Sequence, residues 1–152
     1  MSDVPGAPAD LLRSLTRAER LLSRRLGVVL AEAGLTVEAW RVLCLLADGQ
    51  GHPMSEVSAE ASLPPGTLTK LVDQLVDSNL VFRRVDPFDR RRIRAYLTIR
   101  GRSEHQRVDA RVRESLAELG VPPDLVDQLD YLVARLDPAR NRDSADATGS
   151  RR

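Results

Sequence analysis

After Asn79 the apolar spacing of this chain changes from three-and-four to two, and that change constrains its fold more than any other feature. In "RIRAYLTI", Ile93, Ala95, Leu97 and Ile99 alternate with Arg92, Arg94, Tyr96 and Thr98, which is the pattern of a half-buried strand. The partner strand is "LVFRRV", Leu80 to Val85. The connecting "DPFD" puts Pro87 at a turn position between Asp86 and Asp89, whose short side chains can bond their own backbone. The pattern predicts a β-hairpin with a charged tip.

The remaining periodic stretches read as helices. From Ala9 to about Ala33, Leu15, Ala18, Leu22, Leu26, Val29 and Ala33 recur at helical spacing, Leu11, Leu12, Leu21 and Leu30 widen the stripe, and Gly34 supplies a left-handed cap. So wide a stripe suits either the chain's own core or a second copy of the same helix. Thr36 opens "TVEAWRVLCLLADG", closed by Gly49. Trp40, Leu43, Cys44 and Ala47 on one side and Val42, Leu45 and Leu46 on the other predict burial nearly all round, with Cys44 a small buried hydrophobe. A redox role for Cys44 would need exposure and a depressed pKa. Beyond "GQGHP", Ser55 can cap a short helix, "EVSAEAS". Pro64 and Pro65 fit only the opening of the next helix, where their missing N–H groups are not needed. That helix, "GTLTKLVDQLVDSN", sets Leu68, Leu71, Val72 and Leu75 opposite Thr67, Thr69, Lys70, Asp73, Gln74 and Asp77, and Asn79 ends it. Two closing helices follow, "RSEHQRVDARVRESLAEL" and "PDLVDQLDYLVARL", the second opened by Pro122–Pro123. Residues 1–8 and 137–152 lack apolar periodicity and are expected to be disordered.

The formal net charge of +1 averages over an uneven distribution. Residues 83–102 hold eight arginines and two aspartates, a charge of +6, which leaves −5 for the remainder. A basic patch on a slightly acidic body is the footprint of a polyanion site. The single cysteine cannot form an intramolecular disulfide, no signal-peptide pattern opens the chain, and no apolar run nears the ~20 residues that span a bilayer, so a soluble cytoplasmic protein is expected. Catalysis finds little support: Asp86 and Asp89 sit in an exposed turn among arginines, with no dry pocket around them. The two histidines and the cysteine have no metal-ligand spacing, and no glycine loop cradles phosphate, so neither metal nor cofactor is expected.

A long helix, a buried helix, a short helix, an amphipathic helix opened by Pro–Pro, a basic hairpin and two closing helices describe a mainly α (α+β) fold. It is a winged helix-turn-helix with a two-stranded wing, flanked by N- and C-terminal helices. Within it, "TLTKLVDQL" (Thr67–Leu75), "LVFR" (Leu80–Arg83), "DPFDRR" (Asp86–Arg91) and "LTIRGR" (Leu97–Arg102) together resemble the core of the MarR family, the multiple-antibiotic-resistance type of transcriptional regulator. The resemblance covers nearly all of Ala9 to Leu136 and implies a single domain, with residues 35–99 the winged helix-turn-helix and 9–33 and 101–136 dimerisation helices.

It further implies a ligand-responsive repressor that binds a pseudo-palindromic double-stranded DNA operator as a homodimer. The front of the recognition helix, Pro65, Gly66, Thr67, Thr69 and Lys70, would read the major groove. Pro65–Gly66 stand where serine-like residues are often found and Asn79 where glycine is common, which bears on base preference rather than on the groove entered. Arg91 at the hairpin tip would enter the minor groove with Asp89 orienting its guanidinium, and Arg83, Arg84, Arg90, Arg92 and Arg94 would contact phosphates. A small-molecule effector, frequently aromatic or anionic in this family, would sit in a cleft walled by the first, second and fifth helices, where Arg17, Trp40, Arg41 and His105 are candidates. The competing reading is a winged helix that contacts only protein; arginine density where aromatic anchors would be expected argues against it.

Overall fold

The computed structural model describes residues 8–137, so the disorder expected at the two ends lies outside the described residues, except that Pro8 opens the first helix and Asp137 follows the last. Among them the order is α1 (Pro8–Ala31), α2 (Val37–Leu46), β1 (His52–Pro53), α3 (Met54–Glu60), α4 (Pro65–Asp77), β2 (Val81–Val85), β3 (Ile93–Leu97), α5 (Ile99–Ala117) and α6 (Leu125–Leu136). This is a winged helix-turn-helix, with α3 and α4 as the helix pair and β2–β3 as the wing. One strand was not expected. The two residues of β1 pair antiparallel with β3, His52 opposite Ala95, which gives the sheet the order β1–β3–β2.

The chain forms two compact units that divide between Ser115 and Leu116. In the first, α2 is the centre, because Leu30 of α1, Leu43 and Leu46 of α2, Val57 of α3, Leu68 of α4 and Val108 of α5 are all fully buried. Their entry angles are fixed by caps. The turn after α1 closes with Leu35 N–H donating to the Leu30 carbonyl and Gly34 N–H to that of Ala31, with Gly34 at φ +69 as expected. Thr36 Oγ1 accepts from Ala39 N–H at 3.1 Å and starts α2. Pro65 opens α4, and Asn79, at φ 57, turns the chain into β2.

Several sequence expectations are corrected. Cys44 is exposed, because its side of α2 lies outside the core made by Ala39, Trp40, Val42, Leu43 and Leu46. Ser55 caps nothing: pairing of β1 holds the chain extended through Pro53, so α3 begins at Met54 with Ser55 already in its first turn. Ile99 is 93% exposed rather than inward-facing. Thr98 ends the strand by donating its hydroxyl to the Asn79 carbonyl (2.7 Å) and accepting from Gly101 N–H (2.8 Å), so Ile99 is already helical. This helix start passes so close to β2 that a Cβ at Gly101 would overlap the Leu80 carbonyl, which accounts for the glycine of "LTIRGR". Pro122 and Pro123 form the turn before α6, where Leu125 N–H donates to the Pro122 carbonyl at 3.1 Å, and do not open the helix itself. In the second unit α6 buries no residue: Val126, Leu129, Tyr131, Val133 and Leu136 are exposed.

The root of the wing contains an ionic clamp. His52 lies between two carboxylates, with Nε2 2.8 Å from Asp48 Oδ2 and Nδ1 3.1 Å from Glu56 Oε1. Partial burial opposes its protonation, but hydrogen bonds and charge from Asp48 and Glu56 prevail and raise its pKa above 6.5. A raised folded-state pKa gives stability that is complete below the unfolded value and is lost as pH rises through the folded one. The stability difference between the wild type and His52→Gln should therefore be largest below pH about 6.5 and shrink as the medium becomes alkaline. Denaturant melts of both proteins at several pH values check this, and a difference independent of pH would show that the clamp is not ionic.

Candidate nucleic-acid interface

The outward side of α4 carries Pro65, Gly66, Thr67, Thr69 and Lys70, all exposed, while Leu68, Val72 and Leu75 anchor its inner side. Thr69, exposed, donates its hydroxyl to the Pro65 carbonyl at 2.9 Å, and the hydroxyl oxygen keeps its capacity to accept. Amphipathic spacing alone accounts for this presentation, since the apolar side has one place to go.

The wing is held differently. Asp86 is 4% exposed, although the sequence suggested an exposed turn aspartate. Its Oδ2 accepts from Arg94 Nε at 2.6 Å, and its Oδ1 from the backbone N–H groups of Phe88 (2.8 Å) and Asp89 (3.3 Å). The Arg94 bond above all, then the Phe88 N–H, holds the carboxyl below its usual range. Arg94 also donates to the Gly51 carbonyl at 3.0 Å, joining the tip to the turn before β1. Gly51 has φ +70, and a Cβ there would strike the Tyr96 ring. Only glycine gives Arg94 that carbonyl.

The expected basic residues therefore divide by what they touch. Arg84, Arg90, Arg91 and Arg92 are exposed at or near the tip; Arg84 lies 5.3 Å over the Phe82 ring, which itself stacks on Tyr96. Arg83 reaches back to α4, where it donates to Asp73 Oδ1 at 2.5 Å and so ties β2 to the helix. Arg94 is engaged within the wing and serves its shape. Asp89 accepts from the backbone N–H of Arg91 at 3.0 Å, and the guanidinium nearest its carboxylate is that of Arg92, at 3.9 Å. It thus orients Arg91 through the main chain.

Sequence reasoning passed over Phe88, which is 96% exposed on the outermost turn. Its signal was present: an aromatic side chain in a turn otherwise made of Asp, Pro and Arg, in a chain with only two phenylalanines. The Gly51 carbonyl left no such signal, because a backbone acceptor is available at every residue.

Of the effector candidates, Trp40 and His105 come together as a parallel stack with centroids 4.9 Å apart. Trp40 is 7% exposed and His105 partly buried, and that burial above all lowers the His105 pKa. Arg41 donates to Glu19 at 2.9 Å, and Arg17 stands beside Arg13, Thr16 and Arg20 along α1. Of the four, Arg17 lines a shallow groove on α1, while Trp40 and His105 touch each other. A cleft of about 440 Å³ opens instead where the start of α2, the rear half of α4 and the front of α5 meet, with Ala39, Leu71 and Leu75 as apolar lining and Gln74, Arg100 and Arg107 as polar lining. Although Cys44 is exposed, the protein atoms packed around its thiol, reinforced by Asp109 and opposed by Arg113, push it up to about 12, which disfavours the thiolate near neutrality. Among the described residues no group of three or more His, Cys, Asp or Glu is placed to hold a metal, and no helix is long and apolar enough to cross a membrane.

Comparison with known proteins agrees with this geometry. The sequence model of the MarR family matches residues 33–92. An HTH-type transcriptional repressor of Mycobacterium tuberculosis is 30% identical over 112 residues, which cover 71% of this chain and 81% of the relative. CouR from Rhodococcus jostii RHA1, solved with p-coumaroyl-CoA, shares the fold at a TM-score of 0.74 and 28% identity over 84% of this chain and 91% of its own. A mutant MarR from Escherichia coli in complex with operator DNA does so at 0.70 and 25% identity, over 89% and 99%. An exposed α4 front, an arginine-tipped wing and identity sustained over most of both chains lead to one assignment: this chain belongs to the MarR family of DNA-binding transcriptional regulators.

Proposed function

We propose that the protein is a repressor that binds a pseudo-palindromic operator as a homodimer, seating two α4 helices in successive major grooves while each wing reaches the adjoining minor groove. The observation that carries this reading is the Arg83–Asp73 bond, which ties β2 to α4, so the arginine tip and the exposed α4 front belong to one connected surface. Thr67, Thr69 and Lys70 supply hydroxyls, a methyl and a cation to base edges and phosphates; Arg91 suits a narrow minor groove, and Arg84, Arg90 and Arg92 suit phosphates.

Dimerisation is supported by apolar helix surface that each unit leaves uncovered. On α1, Leu12 and Val28 are exposed along with Leu11 and Leu21, and α6 exposes the apolar residues named above. A second copy of the chain is the partner best suited to cover them. An effector is supported by the cleft, whose walls include the rear of α4 itself. A ligand with an apolar body and an anionic group would lie on Leu71 and Leu75 and pair with Arg100, and by filling the space would shift the recognition helix.

Selection from a random-sequence duplex pool gives the operator. Against it, Arg91→Ala should weaken binding roughly tenfold or more and flatten the log–log salt dependence by about one unit; unchanged affinity and slope would remove Arg91 from the interface. The double variant Leu129→Asp, Val133→Asp should halve the mass measured by sedimentation, whereas an undiminished mass places the dimer contact elsewhere. In a panel of aromatic carboxylates and their CoA thioesters, a compound that releases wild-type protein from the operator should be needed at about tenfold higher concentration for Arg100→Ala. An identical response would mean that the cleft is not the effector site.

A further inference from the structure

We propose that Phe88 is an apolar wedge that enters the minor groove beside Arg91 and partly unstacks one base step, so that each wing bends the operator as well as gripping it. This rests on the reading that the wing reaches the minor groove.

The ring projects from a turn that cannot easily fold it away. Phe88 N–H is bound to the buried Asp86 carboxylate at 2.8 Å, Asp89 N–H shares the same oxygen, and Asp86 N–H closes the loop onto the Arg92 carbonyl at 2.8 Å. The ring stacks described in the structure, Phe82 on Tyr96 and Trp40 on His105, do not involve it. Behind it, Val85 and Ile93 face one another on the outermost rung of the hairpin, 57% and 46% exposed. They continue the face that buries Val81, Ala95 and Leu97, past the point where the core ends. The wing therefore finishes in an aromatic point on an apolar shoulder.

Charge selects the occupant. Arg84, Arg90, Arg91 and Arg92 are exposed around this point, while Asp86 is buried and Asp89 is half exposed and partly engaged with Arg92. Cations around an apolar tip fit a polyanion with apolar surface between its charges, which is what a stack of bases between two phosphate ribbons provides. Minor-groove proteins use phenylalanine in this way, inserting it between base steps and kinking the duplex. Pyrimidine–purine steps unstack most readily, so the wedge would favour such a step under each wing and add specificity without a hydrogen bond to any base.

The test uses the full chain and the selected operator, with end-labelled duplexes for energy transfer and 2-aminopurine placed singly along the segment under each wing. Wild-type protein should shorten the end-to-end distance and raise 2-aminopurine emission at one step. Phe88→Ala should lose both signals and about tenfold in affinity, and Phe88→Leu, still an apolar wedge, should keep most of each. Replacing the step by an A-tract should weaken the wild type but leave Phe88→Ala nearly unchanged. If Arg91→Ala weakens binding and a minor-groove drug competes, yet Phe88→Ala retains bend, emission and affinity, the wedge is wrong and the minor-groove reading stands. If neither Arg91→Ala nor the drug has any effect, both fall together. A change in the protein's own mass on Phe88→Ala, with DNA binding and bend intact, would make the patch a protein contact and overturn the proposal.

Discussion

The wing depends on one buried carboxylate. Asp86 accepts from Arg94 and from two backbone N–H groups of the turn, so a charge out of contact with water is almost fully satisfied by the hairpin it organises. Arg94 then passes the restraint to the Gly51 carbonyl. Without this arrangement Arg84 and Arg94, directly opposite on β2 and β3, would repel each other. With it, Arg94 is neutralised inside the wing, Arg84 lies over Phe82, and Arg90 and Arg91 stay exposed at the tip beside Arg92, whose guanidinium is 3.9 Å from Asp89.

A second set of contacts makes the wing and the recognition helix one body. Arg83 binds Asp73 across the gap between β2 and α4, and Thr98 bonds to the turn that ends α4 while starting α5. Gly101 permits the close approach of α5 to Leu80 on which this depends. The same convergence leaves the cleft between α4 and α5. That space borders α4 directly, with Leu71, Gln74 and Leu75 among its walls.

Much of this was legible in the sequence because it is governed by local rules. The amphipathic face of α4, its Pro–Pro opening and its end at Asn79 follow from spacing and backbone chemistry within a few residues, as do Thr36 as a cap and the aspartates as turn formers. Errors arose where a distant partner intervened. Ser55 lost its capping role because β1 pairs with a strand about forty residues on, and Ile99 left the strand because Thr98 is claimed by the end of α4. The alternation predicted Ile93 as inward, yet the wing extends beyond the core, and no periodicity encodes where a core ends.

What the sequence by itself determined is the order of elements, the outward-facing residues of α4 and the concentration of arginines in the hairpin, since each depends on side-chain type and spacing along the chain. Only the tertiary structure decided which arginines are free. Arg83, Arg84, Arg90, Arg91, Arg92 and Arg94 look alike in one dimension, but Asp73 engages the first, and Asp86 with the Gly51 carbonyl engages the last. The reason is physical: a guanidinium goes to whichever acceptor the fold brings within 3 Å, and the acceptors that matter here lie ten and forty-three residues away.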